Sequence, residues 1–383
     1  MRHPVRLGTS AALVGLVAYV FILAPSIATR PDRASAGSAA PSAAAPASGP
    51  PAPAPAPAVP VPGGPSPGRA GPRQLFPARG KVLFGVTTRS GPHDFAELQA
   101  FQTAAGRRPD VMLFSQGWAR DRFDRRLLDG VVQRGMLPMI GWEPWDYRQE
   151  SRLDLRRGVQ PAYALSRIAG GGFDAYIRSW AVGIRQVGYP VAIRFAHEMN
   201  GYWYPWAEAA NGNRPGEYVA AWRHVHDIFT RAGARNVVWV WSPNVVYPGA
   251  TPLRELYPGD AYVDWAGVVG YYGTDRHQTG YRSFEQVFAP TLRELRAVTR
   301  KPIVLTEVAA TDRDGRKAVW IRDFFRTMPR HRDIIGFVWY EAVKEADWRI
   351  VSSQQARAAF AAGVANARYG QPFTPWVRPR TRR

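Results

Sequence analysis

With 383 residues, no cysteine and a formal net charge of +20, the chain is long enough for one large hydrophobic core, and it excludes both a disulfide scaffold and any thiolate-based site. Apart from the terminal Arg378-Pro-Arg-Thr-Arg-Arg383, the positive charge is spread without a basic stripe or a nucleic-acid-binding module. That distribution argues against a nucleic-acid reader and suits adhesion to an anionic cell envelope.

At the N-terminus, Arg2 and Arg6 precede an uncharged run from Leu7 to Ala24. A basic start before an apolar core is the pattern of an export signal, and Ser26-Ile-Ala28 and Ala34-Ser-Ala36 both suit cleavage. The run is also just long enough for a short membrane span. Residues 1–30 therefore read as a signal peptide or a retained N-terminal anchor, and either places the rest of the chain outside the cytoplasmic membrane, secreted or at the cell surface. Residues 31–80 are dominated by Pro, Ala, Gly and Ser, including Pro51-Ala-Pro-Ala-Pro-Ala-Pro-Ala58, and read as a disordered linker with nothing to bury.

Eight short apolar runs then recur: Val82–Thr87, Val111–Ser115, Met136–Trp142, Val191–Ala196, Val237–Trp241, Trp265–Tyr271, Ile303–Glu307 and Ile334–Tyr340. Helical patterns separate them. Glu217–Thr230 sets Tyr218, Trp222, Val225 and Phe229 on one stripe, and Phe173–Val187 stops at Gly188. Alternating strands and helices predict βαβ units, and eight of them predict closure into a single (β/α)8 TIM barrel over residues 81–370, followed by a basic tail at 371–383.

The runs end in chemistry. The fourth reads Val191-Ala-Ile-Arg-Phe-Ala-His-Glu-Met-Asn200 and leads into Trp203, Tyr204 and Trp206. Catalytic side chains of such barrels sit at the C-terminal ends of the strands, which singles out Glu198 there and Glu307 at the end of the seventh strand. These strands lie across the barrel from one another. Glycoside hydrolysis needs such a pair, one carboxyl to protonate the leaving oxygen and one to attack or activate water. Rim tryptophans at positions 142, 145, 203, 206 and 339 predict an open groove of flat rings suited to sugar faces. Glu143 and Glu341 are expected to bind substrate or support structure. A metal at His197 and Glu198 is disfavoured, because no second histidine follows at ligand spacing. No cofactor is called for, and the chain is expected to be a monomer.

On Arg194-Phe-Ala-His-Glu-Met-Asn-Gly201 with Trp203 and Trp206, Trp241-Ser-Pro-Asn244, Asp264-Trp265 with Gly270-Tyr271, Pro302–Glu307 and Asp347-Trp-Arg349, the chain resembles glycoside hydrolase family 26. The resemblance runs in order from Phe84 to Ile350. It implies an extracellular, retaining endo-glycanase with Glu198 as acid/base and Glu307 as nucleophile. It further implies sugar contacts from His197 and Trp203, a hydrogen bond from Tyr271 to the nucleophile and a platform at Trp339. Arg194, Asn200, Trp206, Trp142 and Asn244 complete the expected substrate-binding set. Mannan-cutting members usually carry a histidine after the tryptophan of the third strand. This chain has Glu143-Pro-Trp145, which resembles the branch acting on mixed-linkage glucan. The expected activity is internal cleavage of a β-mannan or β-glucan, like that of a mannan endo-1,4-β-mannosidase, with a mixed-linkage β-1,3-1,4-glucanase or a β-1,3-xylanase as the alternatives. The rival of another class is a barrel that binds envelope polysaccharide without cutting it.

Overall fold

The computed structural model describes residues 77–78, 80–148, 158–274 and 280–370. The expected export segment, nearly all of the linker and the basic tail lie outside the described residues. Eight parallel strands close into a barrel in chain order: β1 (Leu83–Thr88), β2 (Val111–Gly117), β3 (Leu137–Glu143), β4 (Val191–Phe195), β5 (Val237–Trp241), β6 (Trp265–Tyr272), β7 (Ile303–Ala310) and β8 (Ile334–Glu341). Each expected apolar run is one of these strands. β4 stops one residue early because Ala196 turns to a left-handed φ of 44°, and β7 continues past Glu307 through Val308-Ala-Ala310.

Around the barrel run α1 (Ala96–Ala105), α2 (Arg125–Gln133), α3 (Leu165–Ala169), α4 (Asp174–Val187), α5 (Glu217–Arg231), α6 (Leu253–Leu256), α7 (Phe284–Val298), α8 (Lys317–Thr327) and α9 (Gln354–Val364). α5 buries the stripe read from the sequence, Tyr218, Trp222, Val225 and Phe229, against the strands. α4 ends where Gly188 takes a left-handed φ of 78°, the conformation that glycine adopts without steric cost.

Strand alternation divides the core in two. Leu83, Leu113, Met139, Val240, Trp265 and Val338 fill the barrel interior. Their neighbours Phe84, Ile140, Trp241 and Phe337 point outward into the layer between strands and helices. In β3 this sends Trp142 outward, where its ring meets Trp118, Tyr176, Trp180 and Phe229.

One irregularity shapes the rim. β7 slips in register against both neighbours between Leu305 and Val308, so that Leu305 and Glu307 pair with the consecutive Val268 and Val269 of β6. Such a bulge re-aims side chains. Here Thr306 bonds towards Ser242 at the end of β5, while Glu307 meets Arg194 of β4 and Tyr271 of β6.

Candidate active site

The segment after β4 is held by backbone strain and two tryptophans. Glu198 carries a left-handed φ of 54°, and its N–H donates to the Ser242 carbonyl at 2.8 Å. A non-glycine residue persists in that conformation only where its surroundings impose it. The Trp203 indole N–H donates to Glu198 Oε2 at 2.8 Å, and the Trp206 indole N–H donates to the His197 carbonyl at 2.6 Å. Gly201 makes room for Trp203, since a Cβ there would lie 2.6 Å from the indole. Both carboxyl oxygens of Glu198 lie in a nearly closed environment, and Oε1 has no partner among the described residues.

Opposite, Glu307 accepts from Arg194 Nη1 at 2.5 Å on one oxygen and from the Tyr271 hydroxyl at 2.5 Å on the other. Arg194 is itself fixed, with Nε donating to Ser242 Oγ at 3.1 Å, and Ser242 Oγ shares a 2.6 Å bond with Thr306 Oγ1. The ion pair is buried on both sides, so Arg194 balances a charge that the barrel would otherwise not tolerate.

The two carboxyls differ in environment. Burial, then the charge of Glu307, pushes Glu198 up to about 8, against the pull of Arg194, the Trp203 hydrogen bond and Lys344. Burial, then the charges of Arg194 and Lys344, holds His197 neutral. Glu143 is a third buried carboxyl at the rim, accepting from Ser115 Oγ at 2.7 Å and Trp145 Nε1 at 2.9 Å, and burial pushes it up to about 7. One carboxyl raised by burial thus stands with one ion-paired carboxyl at the C-terminal end of the barrel. No cluster of potential metal ligands occurs among the described residues.

The sequence model of glycosyl hydrolase family 26 matches residues 171–310, which include both carboxylates. Endoglucanase H of Acetivibrio thermocellus is 35% identical over 270 residues, covering 69% of this chain and 28% of that protein. The chain belongs to glycosyl hydrolase family 26. A mannan endo-1,4-beta-mannosidase of Bacillus subtilis is 27% identical over 158 residues, 39% of this chain and 40% of that protein. The chain thus spans well under two thirds of the length of these relatives. Among solved structures, a beta-mannanase from a symbiotic protist of the termite Reticulitermes speratus superposes with a TM-score of 0.57 at 16% identity, covering 79% of this chain and 92% of that one.

Against the other family 26 expectations, the structure redistributes several roles. Glu198, Glu307, Arg194, His197, Trp203 and Tyr271 come together around one site. Trp142, Trp145, Trp206 and Trp339 do not line a groove, because all four are fully buried. Trp142 packs under the helices, and Trp339 lies against Phe360 of α9 and donates to the Trp348 carbonyl. Trp206 stacks on Tyr204 at 4.2 Å and carries His197. Asn200 is equally closed to substrate. Its side chain accepts from the Asn244 N–H at 2.9 Å and donates to the Asn244 carbonyl at 3.0 Å, stapling the loop after β4 to the loop after β5. Asn244 is half-buried and takes part through its backbone.

Other aromatic rings pack against the site's side chains: buried Tyr340 and Trp348 against Tyr271 at 6.0 and 5.2 Å, and Tyr247 against Trp203 at 5.8 Å. Alternation would have found Tyr340, since Trp339 and Tyr340 are neighbours in a strand and must face opposite ways.

Proposed function

We propose that this chain is a retaining endo-β-glycosidase that cleaves internal linkages of a β-mannan or β-glucan by double displacement. The observation that carries the reading is the pairing of a buried Glu198, pushed up to about 8, with an ion-paired Glu307. In the first step a Glu307 oxygen attacks the anomeric carbon, the glycosidic C–O bond breaks, and the leaving oxygen takes the Glu198 proton. In the second, water passes a proton to Glu198 while its oxygen displaces Glu307, returning both groups to their starting states. His197 Nδ1 and Arg194 Nη2, without a hydrogen-bond partner among the described residues, are donors or acceptors left for sugar hydroxyls. Trp203, Tyr202 and Tyr247 form the aromatic surface beside the acid.

Glu143 favours the glucan within this class. It stands where mannan-cutting members usually carry a histidine, and the 35% identical relative is named an endoglucanase. Turnover of the purified protein on mannan, lichenan, β-1,3-xylan and curdlan tests the reading. Long oligosaccharides are expected first. Binding without turnover on all four would instead favour a non-catalytic envelope-polysaccharide protein.

The same proposal places the barrel outside the cytoplasmic membrane as a monomer, secreted or tethered through its N-terminus. The basic, uncharged and Pro-rich order of residues 1–80 supports that placement.

A further inference from the structure

Lys317, in the first turn of α8, is a fully buried lysine that the site as described leaves without a task. Burying an ammonium is costly, and an apolar side chain of the same length would fill the volume without that cost. What the charge supplies is two bonds to one short segment. Nζ donates to the Asp347 carbonyl at 3.0 Å and to the Arg349 carbonyl at 2.7 Å. The carbonyl between them, that of Trp348, accepts from Trp339 Nε1 at 3.2 Å. On the other side of the same stem, the Ile350 N–H donates to Glu341 Oε2 at 2.8 Å.

The segment so clasped, residues 342–349, is a strap folded on itself. Val343 and Asp347 form an antiparallel bridge, and the Trp348 N–H donates to the Ala342 carbonyl at 3.0 Å. The strap sets the Trp348 ring 5.2 Å from that of Tyr271, whose hydroxyl donates to Glu307. It also carries Lys344, one of the charges acting on Glu198 and His197. A chain of contacts therefore runs from Lys317 through the strap and Tyr271 to the carboxylate proposed to attack the sugar.

We propose that Lys317 is a positioning residue for the glycosidase reaction, which clamps the strap so that Trp348 holds Tyr271 in hydrogen-bonding register with Glu307. The inference rests on the glycosidase reading above. Charges facing Lys317 come from Asp312, Glu341, Asp347 and Arg349. Glu307 is faced by Arg194 from β4, Tyr271 from β6, Tyr340 from β8, Glu143 from β3 and Glu198. Of these, Tyr271 is packed against the strap through the Trp348 ring, while Glu198 and Tyr340 feel its charges Lys344 and Glu345.

The test compares wild type, Lys317→Met, Tyr271→Phe and the double variant, with active sites counted by a slow covalent glycosyl inactivator. Lys317→Met should lower kcat/KM per active site by on the order of a hundredfold, the scale of a small misplacement at the reacting centre. The loss should fall on kcat, with KM near its wild-type value, because a loosened Tyr271 leaves Glu307 misaligned for attack without removing a sugar contact. In the Tyr271→Phe background the same substitution should lower kcat far less. Amide hydrogen exchange over 342–350 should rise in Lys317→Met whether or not a substrate is known. If Lys317→Met fails to fold, Lys317→Gln, which keeps a donor on a shorter stem, is read in the same way. Unchanged exchange in the strap, or an unchanged kcat per active site with only fewer active sites, would overturn the proposal. A wild type inactive on every β-glycan would overturn the glycosidase reading instead, and the exchange comparison would still decide whether Lys317 holds the strap.

Discussion

In the proposed mechanism Glu198 and Glu307 are one functional group given two jobs by different surroundings. Glu307 accepts from a guanidinium and a phenolic O–H, whereas buried Glu198 accepts from one indole N–H and is pushed up by burial and by the charge of Glu307. Replacing Glu307 by Ala should abolish turnover on every substrate, since no covalent intermediate can form. Glu198→Ala should still cleave aryl glycosides whose leaving group needs no proton, and added azide should restore turnover with a β-azide product. The wild-type profile on polysaccharide adds a pH signature. The acid must carry its proton, and its carboxyl is raised to about 8, so activity should fall as pH rises through that value. In Glu198→Ala, assayed on an activated aryl glycoside, that basic limb should disappear. An inverted wild-type product, or full polysaccharide activity in Glu198→Ala, would contradict this assignment.

At the scale of the element, the strand is what made part of the site legible and part of it not. The runs that became β1 to β8 were readable because strands covered on both faces are continuously apolar, and Glu198 and Glu307 because charge appears where those runs emerge. Facing was not readable to the same degree. Trp142 and Trp339 sit beside rim residues but on the outward phase of the pleat, and Glu307 reaches the site through a slip of β7 against both neighbours, which no single strand's sequence displays. Lys317 was invisible for another reason: a lysine in the first turn of a helix reads as a solvated residue until the fold shows it fully buried. The correction is measurable. Trp142→Ala should cost about 3–5 kcal/mol in urea unfolding, the usual loss for truncating a buried aromatic, while KM on polysaccharide stays at the wild-type value. Trp203→Ala, by contrast, should raise KM, because its indole lies beside the acid. A raised KM in Trp142→Ala would return that ring to the groove.

For the whole molecule, the questions are where the barrel works and what its excess of positive charge does there. The uncharged run Leu7–Ala24 behind Arg2 and Arg6 supports export, and the Pro/Ala-rich stretch behind it supports a spacer between membrane or wall and barrel. A net charge of +20 would then bind the protein to an anionic envelope over and above any covalent continuity with an anchor. The two modes of retention separate in salt, because at ~1 M the screening length shrinks to about 3 Å and contacts between exposed charges are lost, while a membrane-inserted segment is unaffected. After cell fractionation, a protein cleaved after Ala28 or Ala36 should leave the envelope in a high-salt wash and show a new N-terminus by mass spectrometry. A retained anchor should keep the barrel on the membrane through the same wash and yield to detergent, with Met1 or its neighbour still present. Full-length protein in the cytosolic fraction would be incompatible with both, and would remove the cell-surface polysaccharide from consideration as its substrate.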